Sequence, residues 1–190
     1  MKIKTRSGSL MFITLFGLLY VSLKTNGQDY VSPTAPPQTG RSPGVKVKLI
    51  SENGATKTYV LIFAAGDEIM SGLTDFAVKY KVQSAHFTAI GDITSAKIGW
   101  FDRSKKMFKV NPINEQCEIT SMIGDIALYN GIPVVHAHIN VAAQDGTVRG
   151  GHLLEGFIAP LLEVTMTVEP VPLYKKFDPD MGLYKIDPEL

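Results

Sequence analysis

One cysteine, Cys117, stands in 190 residues. No intramolecular disulfide can form, so the fold has to be held by its core, by self-association or by a metal ion. A basic surplus is also missing. The full chain carries 19 Lys and Arg against 18 Asp and Glu, and four of the basic residues (Lys2, Lys4, Arg6, Lys24) lie in the first 27 positions, where no acid occurs. Beyond that segment 15 basic residues face 18 acidic ones, a net charge of −3. Nucleic-acid binding draws most of its affinity from clustered cations that neutralise phosphates, and this balance argues against it. The sequence has no Walker loop, no GxSxG elbow, no CxxC pair and no GxGxxG after a strand, and Ser71 and Ser121 have no evident His and acid partners. Nucleotide-binding and serine-hydrolase chemistry therefore have little support.

The uncharged run at the N-terminus, Ser7 to Leu23, has 17 residues, at the short edge of the ~20 that a spanning helix requires. With a basic start before it and the small polar TNG after Lys24, residues 1–27 read as an export signal cleaved after Gly27. The mature protein would then be periplasmic or secreted in a bacterium, with no stable membrane insertion. No cysteine follows the apolar run, which argues against a lipoprotein anchor.

With 45% hydrophobic side chains and no internal repeat, the rest is enough for one domain with a real core. Residues 28–44, QDYVSPTAPPQTGRSPG, carry four prolines and read as an extended, mobile linker. The domain is expected over 45–190. VKVKLI and TKTYVLIFA predict strands flanking an ENG turn. GDEIMSGLTDFAVKYK predicts an amphipathic helix capped by Asp67, its apolar stripe formed by Ile69, Met70, Leu73, Phe76, Ala77 and Tyr80. The strand signals SAHFTAIGDI, SAKIGWFD, KMFKV, CEITSMIG, IPVVHAHINVAA, TVRGGHLLEGFI and LLEVTMTVEPV follow closely. Together they predict an α+β fold, a mostly antiparallel sheet with one main helix packed on it. The tail from Tyr174, with the rings of Phe177 and Tyr184, reads as an irregular segment pinned to the surface.

Three of the four histidines lie in HAHINVAAQDGTVRGGHLLEG, residues 136–156. Side chains alternate along a strand, so His136, His138 and Asn140 share one face while Val135, Ala137, Ile139 and Val141 take the other. The turn then decides the role of His152. A two-residue turn at Asp145-Gly146 places His152 opposite Ile139, on the wrong face. A three-residue loop, Gln144 to Gly146 with Gly146 left-handed, pairs Ala143 with Thr147 and sets His152 opposite His138. In that register three imidazoles meet, a donor set for zinc with an open fourth position. The alternative is a set of structural histidines at a subunit interface. His86, on another strand, is an additional candidate ligand. Glu155 is a weaker one, because the same register turns it away from the histidines. Gly150 and Gly151 leave room for a second backbone or a ligand, or mark a bulge.

At these residues the chain resembles the plants and prokaryotes conserved (PPC) domain, which also forms the C-terminal part of plant AT-hook proteins. The resemblance runs from about Tyr59 to the tail and is most specific in PVVHAHINVAAQDGTVRGGHLLEG, where it is closer to the stand-alone prokaryotic branch. Gly146, Gly150, Gly151 and Gly156 belong to that motif. The resemblance implies a compact α/β fold with flanking helices, assembled as a homotrimer, and a metal on His136, His138 and His152. Prokaryotic members are often described as DNA-binding by analogy with the plant proteins. Those use an Arg-Gly-Arg-Pro hook outside this domain to enter the minor groove, whereas this chain has Gly40-Arg41-Ser42-Pro43.

The function expected from sequence is thus an exported, homotrimeric ligand- or metal-binding module without established catalysis. A zinc-dependent hydrolase or lyase is one alternative and requires a general base near the histidines. A DNA-associated protein is the other, against the charge balance and the missing hook.

Overall fold

The structure, a computed structural model, describes residues 28–36 and 38–190. The expected export signal, residues 1–27, lies outside the described residues. Among those described, no helix is long and apolar enough to cross a membrane.

Strand β1 (Tyr30–Val31) is followed by the hairpin β2 (Lys46–Asn53) and β3 (Thr56–Ala64), which turns at the left-handed Gly54. On β3 the alternate residues Leu61 and Phe63 are fully buried. Helix α1 (Ile69–Lys79) follows, with Ile69, Leu73, Phe76 and Ala77 in the core as the periodicity predicts. Its cap differs from expectation. Glu68 is the N-cap residue, accepting from Met70 N at 3.1 Å and Ser71 N at 2.7 Å. The shorter Asp67 instead accepts from the backbone of Ala64 (2.8 Å) and Gly44 (2.9 Å), tying its own loop together.

Next come β4 (Ser84–Asp102), β5 (Met107–Ile113), β6 (Cys117–Tyr129), β7 (Ile132–Ala142) and β8 (Val148–Val168). SAHFTAIGDI and SAKIGWFD are one strand of 19 residues, and TVRGGHLLEGFI and LLEVTMTVEPV are one of 21. The chain bends at register shifts instead of breaking, among them Gly91/Ile93 and Lys97/Ile98. The sheet order is β1-β5-β4-β6-β7-β8-β3-β2, and an additional β4–β8 pairing closes β4, β6, β7 and β8 into a ring. Every ladder between these strands is antiparallel. Closure gives one continuous core in which Phe87, Ile126, Ile139, Val141 and Leu153 meet, with α1 packed on β7 and β8. The flanking helices implied by the resemblance reduce to this single helix among the described residues. Cys117 is buried and free.

Two segments are more ordered than their composition suggests. The described residues of 28–44 contact the domain at several points instead of running free of it. Tyr30 pairs with Lys109, Gln28 Nε2 donates to Val110 O at 2.6 Å, and Arg41 N donates to Ser71 Oγ at 2.9 Å. The prolines limit only where this segment can join a ladder, since they lack an N–H. The tail forms a hairpin, β9 (Lys175–Asp178) with β10 (Leu183–Ile186), and Tyr184 packs on Tyr129 with ring centroids 4.2 Å apart.

Candidate metal centre

Between the paired residues Ala143 and Thr147, the turn from β7 to β8 has three residues, Gln144 to Gly146. Ala143 N donates to Thr147 O at 3.0 Å, Gly146 N donates to Ala143 O at 2.9 Å, and Gly146 is left-handed with φ 81°. The ladder then sets His138 opposite His152, with His136 two residues back on the same face. Ring centroids lie 5.2 Å (His136–His138), 5.1 Å (His136–His152) and 5.6 Å (His138–His152) apart. One nitrogen from each ring lies within 4.8 Å of the others. In a tetrahedral zinc site, with Zn–N of about 2.0–2.1 Å, the nitrogens stand roughly 3.3 Å apart. An ion held by all three would draw the nitrogens closer than they stand here.

Each histidine is held differently. His152 stacks on Phe108 of β5, centroids 4.2 Å apart and planes 9° from parallel. Burial, helped by the neighbouring His136, His138 and Lys175, pushes its pKa down to about 3, so it is a neutral imidazole at physiological pH. His138 is shifted down in the same way, by burial first and then by His136. His136 has its Nδ1 3.2 Å from Asp125 Oδ2, directly across the β6–β7 ladder. That bond places the Nδ1 proton toward the carboxylate and leaves Nε2 as the free electron pair, the carboxylate–histidine arrangement of metal sites.

Asp125 is positioned in turn by Lys175 of β9, a buried residue whose Nζ lies 2.8 Å from Oδ1. This is an ion-pair contact without hydrogen-bond alignment, so Oδ1 has charge compensation but no aligned donor. Burial pushes the Asp125 pKa up, yet the His136 bond and the Lys175 charge outweigh it and keep the carboxyl below the usual range. Neither Asp125 nor Lys175 is apparent from sequence. An acid on a strand as apolar as CEITSMIGDIALY was the available signal, but only the β6–β7 register identifies its partner.

The two additional candidates lie elsewhere. His86 neighbours Asp125 across the β4–β6 ladder, but its ring is largely exposed, 4.0 Å from Glu169 Oε1, and does not join the cluster. Asp125 stands between them in the row. Glu155 is no ligand either: β8 leaves β7 after His152 and pairs with β4, where Glu155 bonds Arg41 (2.9 Å) and Lys97 (2.8 Å). Gly150 and Gly151 serve close backbone packing, Gly156 makes room for the Ile69 side chain, and Gly146 serves the left-handed turn. A Cβ on Gly150 would meet Ile139 O at 2.7 Å, one on Gly151 would meet Gly99 O at 2.8 Å, and one on Gly156 would meet Ile69 Cδ1 at 2.9 Å.

The residues fit a divalent ion. Three imidazole nitrogens on one face, two kept neutral by burial and one aimed by a carboxylate, form a zinc-type donor set. Such an ion, when bound, supplies Lewis acidity at its remaining position.

Comparison with known proteins agrees with this picture. The family described as Plants and Prokaryotes Conserved (PCC) domain matches residues 50–169. Among solved structures, a PPC protein from Pyrococcus horikoshii is 30% identical, with TM-score 0.65, covering 72% of this chain and 97% of its own. A metal-containing protein from Archaeoglobus fulgidus is 28% identical, with TM-score 0.64, covering 73% and 97%. A protein from Bacteroides thetaiotaomicron, provisionally named DNA-binding, shares the fold at 24% identity and TM-score 0.71, covering 77% and 99%. No curated protein matches. With the family matched over most of the folded domain, and the histidine hairpin inside the matched region, the chain belongs to the Plants and Prokaryotes Conserved (PCC) domain family.

Proposed function

We propose that this protein is an exported, homotrimeric PCC-domain module that holds a divalent metal ion, zinc by preference, on His136, His138 and His152. The remaining coordination position is left to a small ligand. The observation that carries this reading is the convergence of the three imidazoles within 4.8 Å, with Asp125 on the far nitrogen of His136. The metal-containing relative from Archaeoglobus fulgidus supports it. Binding is preferred to hydrolysis because the neighbouring carboxylates are engaged, Asp125 by His136 and Lys175 and Glu155 by Arg41 and Lys97. A hydrolase would need one of them free as a base.

Elemental analysis of protein purified without added chelator tests the reading. About one zinc per chain is expected, and none in His138→Ala. Metal-free protein that also fails to take up zinc at micromolar concentration refutes it. Light scattering tests the trimer, and a reporter fused to residues 1–27 tests export.

DNA association is the second reading, favoured by the name of the Bacteroides relative. Against it stand the −3 balance beyond residue 27 and the state of Arg41, the one arginine at the hook-like position, which is bonded to Glu155. Negligible DNA affinity of the mature protein at low salt is the expected result.

A further inference from the structure

Beside the histidine cluster lies a second feature that the metal reading does not use. A cavity of about 480 Å³ opens between the N-terminal segment, the β9–β10 hairpin and the β5, β7 and β8 face of the sheet. That volume is in the range of small-molecule sites, roughly 300–1,000 Å³. Its body is apolar, with Val31, Phe108, Ile132, Val134, Leu154 and Tyr184 on the walls, and His152 reaches it from the metal cluster. Val31 and Tyr184 lie outside the family match at 50–169.

Four charged side chains line it: Arg41, Lys97, Glu68 and Glu155. Glu68 is accounted for, since its carboxylate accepts three backbone N–H groups, those of Met70, Ser71 and Gly156. The other three are unbalanced. Arg41 Nη1 and Lys97 Nζ share the single carboxylate of Glu155, one on each oxygen. Two cations thus meet one carboxylate on this wall, while the fourth charge, Glu68, is turned to backbone N–H groups, and the four together are neutral. Arg41 bonds through Nη1 alone, to Glu155 and Gln38, so its Nε and Nη2 donate to no protein group among the described residues. A guanidinium edge with two parallel donors matches a planar carboxylate. A carboxylate adds one negative charge to this neutral set, and a phosphate dianion would add two.

We propose that this cavity binds an apolar carboxylic acid, its hydrocarbon body against Phe108, Ile132 and Val134 and its carboxylate on Arg41 and Lys97. The site stands apart from the metal reading, because none of these residues is among the three histidines.

The test titrates the purified full chain with octanoate and with the uncharged 1-octanol by isothermal calorimetry. Octanoate should bind at least tenfold more tightly, about 1.4 kcal/mol. Arg41→Met and Lys97→Met should each abolish that preference and leave octanol unchanged, while Glu155→Gln should strengthen octanoate binding by removing the competing anion. The octanol arm, with circular dichroism, shows that each variant keeps its cavity. Equal affinity for the two probes, no octanoate binding at millimolar concentration, or an unchanged preference in both methionine variants overturns the proposal. A preference lost in His138→Ala but kept in Arg41→Met also overturns it, since the carboxylate would then sit on a metal ion.

Discussion

Replacing Asp125 by Asn separates the two roles that the structure combines in one carboxylate. Toward His136 the substitution removes the anion that fixes the Nδ1 proton, 3.2 Å away. Loss of such a partner costs a metal site about 10–100-fold in affinity, or about 1.4–2.7 kcal/mol. Toward the tail it strips the counter-charge from Lys175, whose side chain is only 4% exposed. Breaking a buried pair on one side costs about 3–5 kcal/mol. The lower end applies here because Asp125 keeps 28% of its side-chain exposure. Zinc affinity, read by competition with a chromophoric chelator, should therefore fall 10–100-fold, and chemical denaturation of the metal-free protein should show a loss of about 3 kcal/mol. Adding Lys175→Met to Asp125→Asn should recover most of the stability and none of the zinc affinity. Zinc binding within twofold of wild type in Asp125→Asn would refute the orienting role. A double variant no more stable than the single one would show that the buried ammonium was not the source of the loss.

Deleting Gln144 leaves Asp145-Gly146 as a two-residue turn between Ala143 and Thr147, the pair already joined at 3.0 Å, so His138 should stay opposite His152 and zinc uptake should persist; loss of uptake with the hairpin intact would mean that the ladder had slipped by one residue. Gly150→Ala forces a Cβ against Ile139 O and should destabilise by about 1–3 kcal/mol in a thermal or denaturant melt, with an unchanged melt contradicting the close packing. In metal-free protein His152 has a folded pKa of about 3, below its ordinary 6.5. Its contribution is therefore full well above pH 6.5 and declines as pH falls toward 3, so stability should drop by about 1.6 kcal/mol between pH 6.5 and 5, and His152→Leu should lose most of that dependence, His138, shifted the same way, keeping the rest. Glu155 is pushed up by burial but more strongly down by Lys97 and Arg41. Its ion pairs should hold residues 28–44 in place above about pH 4.5 and fail as pH falls through its depressed value; hydrogen-exchange protection of the Arg41 amide should decrease there, and constant protection down to pH 3 would contradict this.

The core stripe of α1 was legible because it depends only on local periodicity: Ile69, Leu73, Phe76 and Ala77 stand three and four apart and share a face in any helix. The cap was not, because Asp67 and Glu68 are both competent acceptors and the Gly44 amide, 23 residues away, claims the first. The docked position of residues 28–44 was hidden for a similar reason. Proline-rich composition describes what a segment does alone, and here β5 offers a free edge and Ser71, Glu155 and Asp67 offer partners.

For the site, the sequence alone determined that His136 and His138 face the same way, since alternation along a strand is a property of the backbone itself. It also reduced His152 to two registers, of which the left-handed Gly146 loop is the one adopted. Tertiary structure decided the rest. Asp125 reaches His136 across β6–β7, Lys175 reaches Asp125 from the tail, and β8 turns from β7 onto β4 after His152, carrying Glu155 to Arg41 and Lys97. Each of these is a pairing between residues far apart in sequence. Pattern within a strand says which face a side chain takes, but only closure of the sheet says what stands opposite.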